Sequence, residues 1–157
     1  MLARDRRQDL LNESLSEGYP ATDFLSLNIP GAEKNPPGAE RLFSWALRFL
    51  LSEYPDRENV VQSSDPLGPF AIFLLNREAA EVKRSCITME VSQPFARLID
   101  LDIFDGSGHP VDRAILGIHP RTCLLCDQAA VDCIRLQRHA AEEVLERSYE
   151  LLTLCRD

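Results

Sequence analysis

The spacing of apolar and polar positions changes period several times along the chain, and each change predicts an element. Residues 3–16 are largely polar, with Leu10, Leu11 and Leu15 at near-helical spacing, which predicts a short amphipathic helix ended by Gly18 and Pro20. Residues 23–29 alternate with period two and predict a first strand, followed by a loop punctuated by Pro30, Gly31, Pro36, Pro37 and Gly38. Over 38–54, Leu42, Trp45, Ala46, Phe49 and Leu50 fall on one helical face, with Phe43 and Leu47 widening it. A stripe that broad predicts burial against a sheet, with Trp45 in the core. Val60 and Val61 mark a second short strand, and the turn at 66–69 leads into the continuous apolar run 70–75 as a third. Residues 77–89 return to helical period through Ala80, Val82, Cys86, Ile87 and Met89, and 97–104 form a fourth strand closed by a turn at 105–108. The order β-α-β-β-α-β is the split βαβ pattern. It predicts an α+β, ferredoxin-like antiparallel sheet with helices on one face. From Pro120 follows a C-terminal helical appendage in which Ala141, Val144, Leu145, Leu151 and Leu152 recur every three to four residues. Residues 1–157 read as a single domain, with a core at 23–105 and a Cys-containing helical segment at 119–157.

Length and composition narrow the function classes. A chain of 157 residues is long enough to close one hydrophobic core. The longest apolar run, 70–75, is far too short to span a bilayer, and the charged N-terminus lacks the apolar stretch of a secretory signal. A cytoplasmic protein without membrane contact is expected. The five cysteines, an odd number with three clustered, fit reduced thiols better than a disulfide framework. A net charge of −8 argues against nucleic-acid binding, which needs a basic face. Of the 17 basic residues only Lys34 and Lys83 are lysines. Arginine-codon bias explains this as readily as function does, but the planar arginine fork also suits a phosphorylated ligand.

Two stretches carry candidate chemistry. In the fourth strand, period two sends Ile99, Leu101 and Ile103 to one face and Asp100 and Asp102 to the other, with Cβ atoms roughly 7 Å apart. Two carboxylates so placed suit magnesium bridging to phosphates, or one can act as general base to a hydroxyl; a solvated polar face is the plain alternative. Downstream, Cys123, Cys126, Cys133 and His139 follow the spacing C-x2-C-x6-C-x5-H. C-x2-C is half of a zinc site. A helix starting near Asp127, however, separates Cys126 from Cys133 by about 10 Å along its axis, too far for one tetrahedral ion. A zinc site therefore requires that helix to start later or bend. Buried thiols, or an anion pocket from Arg121, Arg135, Arg138 and His139, are the other readings. Lys34 lies in a loop that can reach a phosphate.

Taken together, Arg97 to Asp102, Asp112-Arg113, the run Pro120-Arg121-Thr122-Cys123-Leu124-Leu125-Cys126, then Cys133 and Arg138-His139, resemble the apo-citrate lyase phosphoribosyl-dephospho-CoA transferases. That family is also known as citrate lyase holo-acyl-carrier-protein synthases. Weaker likeness runs back through Lys34 and Pro30-Gly31 to Arg7-Gln8. The resemblance implies a nucleotidyltransferase-type enzyme. A serine of the apo acyl-carrier subunit of citrate lyase attacks triphosphoribosyl-dephospho-CoA, and pyrophosphate leaves. It further implies Asp100, Asp102 and Arg97 as catalytic residues, magnesium on the two aspartates, and Arg113, Arg121, Arg138, His139 and Lys34 as substrate-binding groups. The chain departs from the family pattern at Gln93, Ala96, Asp112 and Asp65, where histidine, glycine, serine and glycine are usual. A zinc-stabilised, non-catalytic binding module on Cys123, Cys126, Cys133 and His139, or an inactive paralogue, is the alternative.

Overall fold

The continuous apolar run of the third strand dictates the architecture, because a strand apolar on both sides needs cover on both faces. The computed structural model describes residues 2–156. In chain order it contains α1 (Ala3–Leu15), β1 (Ala21–Leu27), α2 (Ala39–Glu53), β2 (Glu58–Asp65), β3 (Gly68–Leu75), α3 (Ala79–Glu90), a 3₁₀ turn (Pro94–Leu98), β4 (Ile99–Asp105), α4 (Ala130–Leu136) and α5 (Ala141–Leu154). The four strands form one open sheet in the order β2-β3-β1-β4, and every neighbouring pair is antiparallel. The fold is α+β, and the predicted β-α-β-β-α-β order is present from β1 to β4.

One face of the sheet carries the main core. Ala21 and Leu25 of β1, Ala71 and Phe73 of β3, and Ile99, Leu101 and Ile103 of β4 meet Leu42, Ala46 and Leu50 of α2 and Val82, Cys86 and Met89 of α3. Leu151 and Leu152 of α5 close the same core, so the C-terminal appendage is packed into the body of the protein. Trp45 lies edge-to-face on Phe95 at 5.1 Å between ring centres, in keeping with a packing role.

Helices on one face describes α2 and α3, but α1 lies across the other. Leu11, Phe24, Phe70 and Ile72 form a second buried cluster beneath it, with Phe24 stacked on Phe70 at 5.7 Å. The physical reason is legible in hindsight: Phe70 and Ile72 alternate with Ala71 and Phe73, so β3 presents large apolar side chains on both sides. Arg7 fixes α1 in place. Its guanidinium donates to both carboxylate oxygens of Asp65 at 2.7 and 2.8 Å and to the Gly68 carbonyl at 2.8 Å, above the Phe70 ring. Gly68 ends this turn at φ +104°, and a Cβ there would lie 2.9 Å from the Lys34 carbonyl oxygen, so only glycine fits.

The first strand also differs from expectation. It begins at Ala21, and its alternation sends Asp23, not an apolar residue, into the main core. Asp23 has no exposed surface, and neither carboxyl oxygen meets a hydrogen-bond partner among the described residues. Nearby Lys83 is itself buried and donates to the Leu101 carbonyl at 2.7 Å. Loss of water raises the Asp23 carboxyl to about 8, outweighing the attraction of Lys83.

Asp23 is therefore neutral in the folded chain at neutral pH and ionised in the unfolded chain. Between the ordinary value of 3.8 and about 8, the folded state holds a proton that the unfolded state lacks. Stability from this group falls as pH rises through that window and is level above it. Asp23→Asn copies the neutral carboxyl. Its stability relative to the wild type should increase by about 1.4 kcal/mol per pH unit within the window, measured by urea unfolding at several pH values. A difference that is constant with pH contradicts a neutral Asp23.

Candidate active site

Alternation along β4 builds the centre of the site. Ile99, Leu101 and Ile103 are essentially inaccessible, and Asp100 and Asp102 stand on the opposite face, next to Ser26 and Phe24 of β1. The predicted parity of the strand is therefore correct. Asp102 is exposed, yet it borders a recess of about 220 Å³ shared with Arg4, Arg7 and Gln8 of α1. Loss of water first, then the charge of Asp100, push the Asp102 carboxyl up to about 6 against the pull of Lys83 and Arg121. Burial raises Asp100 as well, and Arg121 is the main opposing influence. Two carboxylates that each penalise the other's charge invite a cation or a proton.

Beyond β4 the chain doubles back. The Val111 amide donates to the Ile103 carbonyl at 2.8 Å, which covers the outer edge of β4, and the segment then returns toward the start of the strand. There Arg121 donates from Nη2 to the carbonyls of Ile99 at 2.7 Å and Arg97 at 3.1 Å. Arg97, on the 3₁₀ turn, donates to the Thr122 carbonyl. Arg113 donates to the Glu90 carboxylate at 2.7 Å and to the His119 carbonyl at 3.3 Å. Glu90 also lies 3.7 Å from Arg121. Burial, then the neighbouring Arg121 and Arg113 charges, lower the pKa of Arg97, which marks three guanidiniums crowded at one end of β4.

Glu90 is a functional candidate that sequence reading missed. It ends α3 with a side chain only 3% exposed and balances two arginines that follow it by 23 and 31 positions. A carboxylate closing the helix directly after Met89 was the available signal, but nothing local named its partners.

The cysteine segment folds differently from expectation. The helix predicted to start near Asp127 begins at Ala130, so Cys126 lies in the preceding loop. That loop is a tight hairpin: the Cys123 amide donates to the Gln128 carbonyl at 2.7 Å and the Ala130 amide to the Arg121 carbonyl at 2.8 Å. The delay removes the separation along the helix axis, and Cys126 Sγ lies 3.5 Å from Cys133 Sγ. Ligand atoms of Cys123, Cys126, Cys133 and His139 all fall within 4.8 Å of one another, so this cluster can hold a metal ion. Of the other predicted site residues, Arg138 lies against Cys133 Sγ at 3.6 Å, and His139 joins the cysteines. Lys34 lies on the loop after β1 and donates to the Ile29 carbonyl at 2.7 Å. A cleft of about 620 Å³ opens between this segment and α5, lined by Asn28, Leu124, Ile134, Gln137 and Val144 among others. No helix among the described residues is long and apolar enough to cross a membrane.

Comparison with known proteins points to one family. Residues 1–154 match the family described as apo-citrate lyase phosphoribosyl-dephospho-CoA transferase. The chain is 29% identical over 159 residues to a probable apo-citrate lyase phosphoribosyl-dephospho-CoA transferase of Streptococcus pyogenes, covering 97% of this chain and 83% of that protein. It is 27% identical over 157 residues to the apo-citrate lyase phosphoribosyl-dephospho-CoA transferase of Citrobacter koseri, covering 97% and 85%. It is 28% identical over 154 residues to Protein CitXG of Haemophilus influenzae, where it covers 95% of its own length but spans only 33% of that longer protein.

The electrostatics of β4 can be checked directly. Carboxyl-carbon NMR should find Asp102 titrating near pH 6. In Asp100→Asn the neighbouring charge is gone and the Asp102 step should move down toward the ordinary carboxylate range. An Asp102 step at the same pH in both proteins contradicts the coupling.

Proposed function

The chain belongs to the apo-citrate lyase phosphoribosyl-dephospho-CoA transferase family, and from that premise we propose that it is a nucleotidyltransferase-type enzyme that completes the acyl-carrier subunit of citrate lyase. The serine hydroxyl of the apo carrier attacks the innermost phosphorus of triphosphoribosyl-dephospho-CoA. The bond from that phosphorus to the outer two phosphates breaks, pyrophosphate leaves, and the prosthetic group is held by a phosphodiester. The observation that carries this reading is the meeting of a carboxylate pair with anchored arginines at one end of β4.

Each group has a role that follows from its surroundings. Asp102, the more exposed carboxylate and raised to about 6 while no cation sits on it, can take the serine proton in that state; a base with that pKa is largely ionised at neutral pH yet still accepts a proton readily. Asp100 is poised beside Arg121. The two carboxylates on one strand face form an oxygen donor set that suits magnesium, and their mutual repulsion is the strain such a cation relieves. Bound there, magnesium would offset negative charge on the triphosphate. Arg121 uses Nη2 for its carbonyl contacts, which leaves Nε and Nη1 for the leaving pyrophosphate. Arg113, held by Glu90, adds positive charge without having to be ordered by the substrate. Arg4 and Arg6 are the exposed α1 arginines available to an acidic carrier, Arg4 beside the recess at Asp102, whereas Arg7 is committed to Asp65.

The departures from the family pattern do not remove these groups. Gln93 is exposed at the start of the 3₁₀ turn and Ala96 is buried within that turn, while Asp100, Asp102, Arg113 and Arg121 are all retained.

The test is the intact mass of apo carrier incubated with this protein, magnesium and triphosphoribosyl-dephospho-CoA. The carrier should gain one prosthetic group, and Asp100→Asn and Asp102→Asn should each slow transfer by about 10²-fold or more with an unchanged melting temperature. A carrier mass that never increases, under conditions where a related synthase acts, overturns the proposal. So does undiminished transfer by the double variant.

A further inference from the structure

We propose that Cys123, Cys126, Cys133 and His139 bind a single zinc ion, and that this ion fixes the segment carrying Arg121 against the start of β4. The inference rests on the geometry of the segment and stands apart from the transfer reaction.

Four observations support it. Three thiols and one imidazole come together from a loop, a helix and the connection after that helix, with their ligand atoms within 4.8 Å of one another. Tetrahedral zinc with Zn–S bonds of about 2.3 Å wants neighbouring sulfurs roughly 3.8 Å apart, and Cys126 and Cys133 lie at 3.5 Å. The C-x2-C turn is folded as a metal-binding knuckle, its Leu125 amide donating back to Cys123 Sγ at 3.4 Å. His139 Nε2 is buried with no hydrogen-bond partner among the described residues. A buried polar atom left without a partner is destabilising, and a metal bond relieves it.

The backbone also bends to make the cluster. Gln137 ends α4 at φ +49°, a left-handed conformation unusual for a residue other than glycine. That reversal brings His139 back to the cysteines. Meanwhile α4 itself has little else to hold it. α4 is a seven-residue helix, too short to be stable alone, and Val131 and Ile134 on it are exposed. A structural metal commonly supplies the missing cohesion in such small substructures. Thiolate-rich donors select zinc over magnesium or calcium, which take oxygen ligands.

The consequence reaches β4 through two contacts. The Ala130 amide holds the Arg121 carbonyl, and Arg97 holds the Thr122 carbonyl, so both residues preceding Cys123 are tied to the metal-bound loop or to the 3₁₀ turn. Zinc thus acts as a positioning element for Arg121.

The test uses the full-length protein prepared with zinc and under reducing conditions. Native mass spectrometry with elemental analysis should find one zinc per chain, and cobalt(II) exchange should give the strong visible absorption of tetrahedral thiolate coordination. Cys126→Ser and His139→Ala should each weaken metal affinity at least tenfold. Chelation should speed amide hydrogen exchange across 121–139 and leave β1 and β3 protected. The wild-type measurements decide the matter even where a variant folds poorly. Absence of stoichiometric metal, iron in place of zinc, weak octahedral cobalt absorption, or a Cys126–Cys133 disulfide in the reduced preparation would each overturn the proposal.

Discussion

A buried carboxylate at the end of a helix holds the site together. Glu90 is almost completely removed from water, and a buried charge is tolerable only when it is paired. Its partners are Arg113 at 2.7 Å and Arg121 at 3.7 Å, both from the long connection after β4. That pairing pulls an otherwise irregular segment back across the start of β4. With Arg121 in place, the carbonyls of Arg97 and Ile99 gain a donor, and the two aspartates one and three residues further on gain a neighbouring positive charge. Positive and negative groups are thus ordered by the fold before any ligand arrives, which is the condition for electrostatic catalysis.

The parts legible in the sequence are those governed by local period. The parity of β4, with Ile99, Leu101 and Ile103 inward and Asp100 and Asp102 outward, needed only alternation. The breadth of the α2 stripe correctly placed Leu42, Ala46 and Leu50 on the sheet. The parts not legible depend on contacts between distant residues. Nothing near Glu90 specified Arg113 or Arg121. Asp23 shares the parity of Ala21 and Leu25, so the same alternation that builds β1 carries a carboxyl into the main core, where nothing local announced it. The place of α1 followed from Phe70 and Ile72 facing away from the main core, a consequence of the apolar run in β3 that helical period alone did not expose.

The cysteine segment shows how one local error changes a chemical conclusion. Spacing put four metal-ligating residues within seventeen positions, and a helix begun at Asp127 would have scattered them. Starting instead at Ala130, after a hairpin closed by Cys123 and Gln128, the same residues converge. Element boundaries are the least certain feature of any sequence reading, and here three residues separate a cluster from a row. The segment offered as an anion pocket on Arg121, Arg135, Arg138 and His139 has two parts: Arg121 donates to carbonyls at the start of β4, and His139 joins the cysteines in a separate cluster.

The central claim is that one end of β4, with Asp100 and Asp102 on one side and Arg121 and Arg113 on the other, receives the phosphates. The most direct measurement is a crystal structure of the protein with magnesium and pyrophosphate. The account predicts the metal on the two carboxylates and pyrophosphate oxygens within hydrogen-bond distance of Arg121. Pyrophosphate bound instead in the cleft beside Ile134 and Val144, with Asp100 and Asp102 bare, would contradict it.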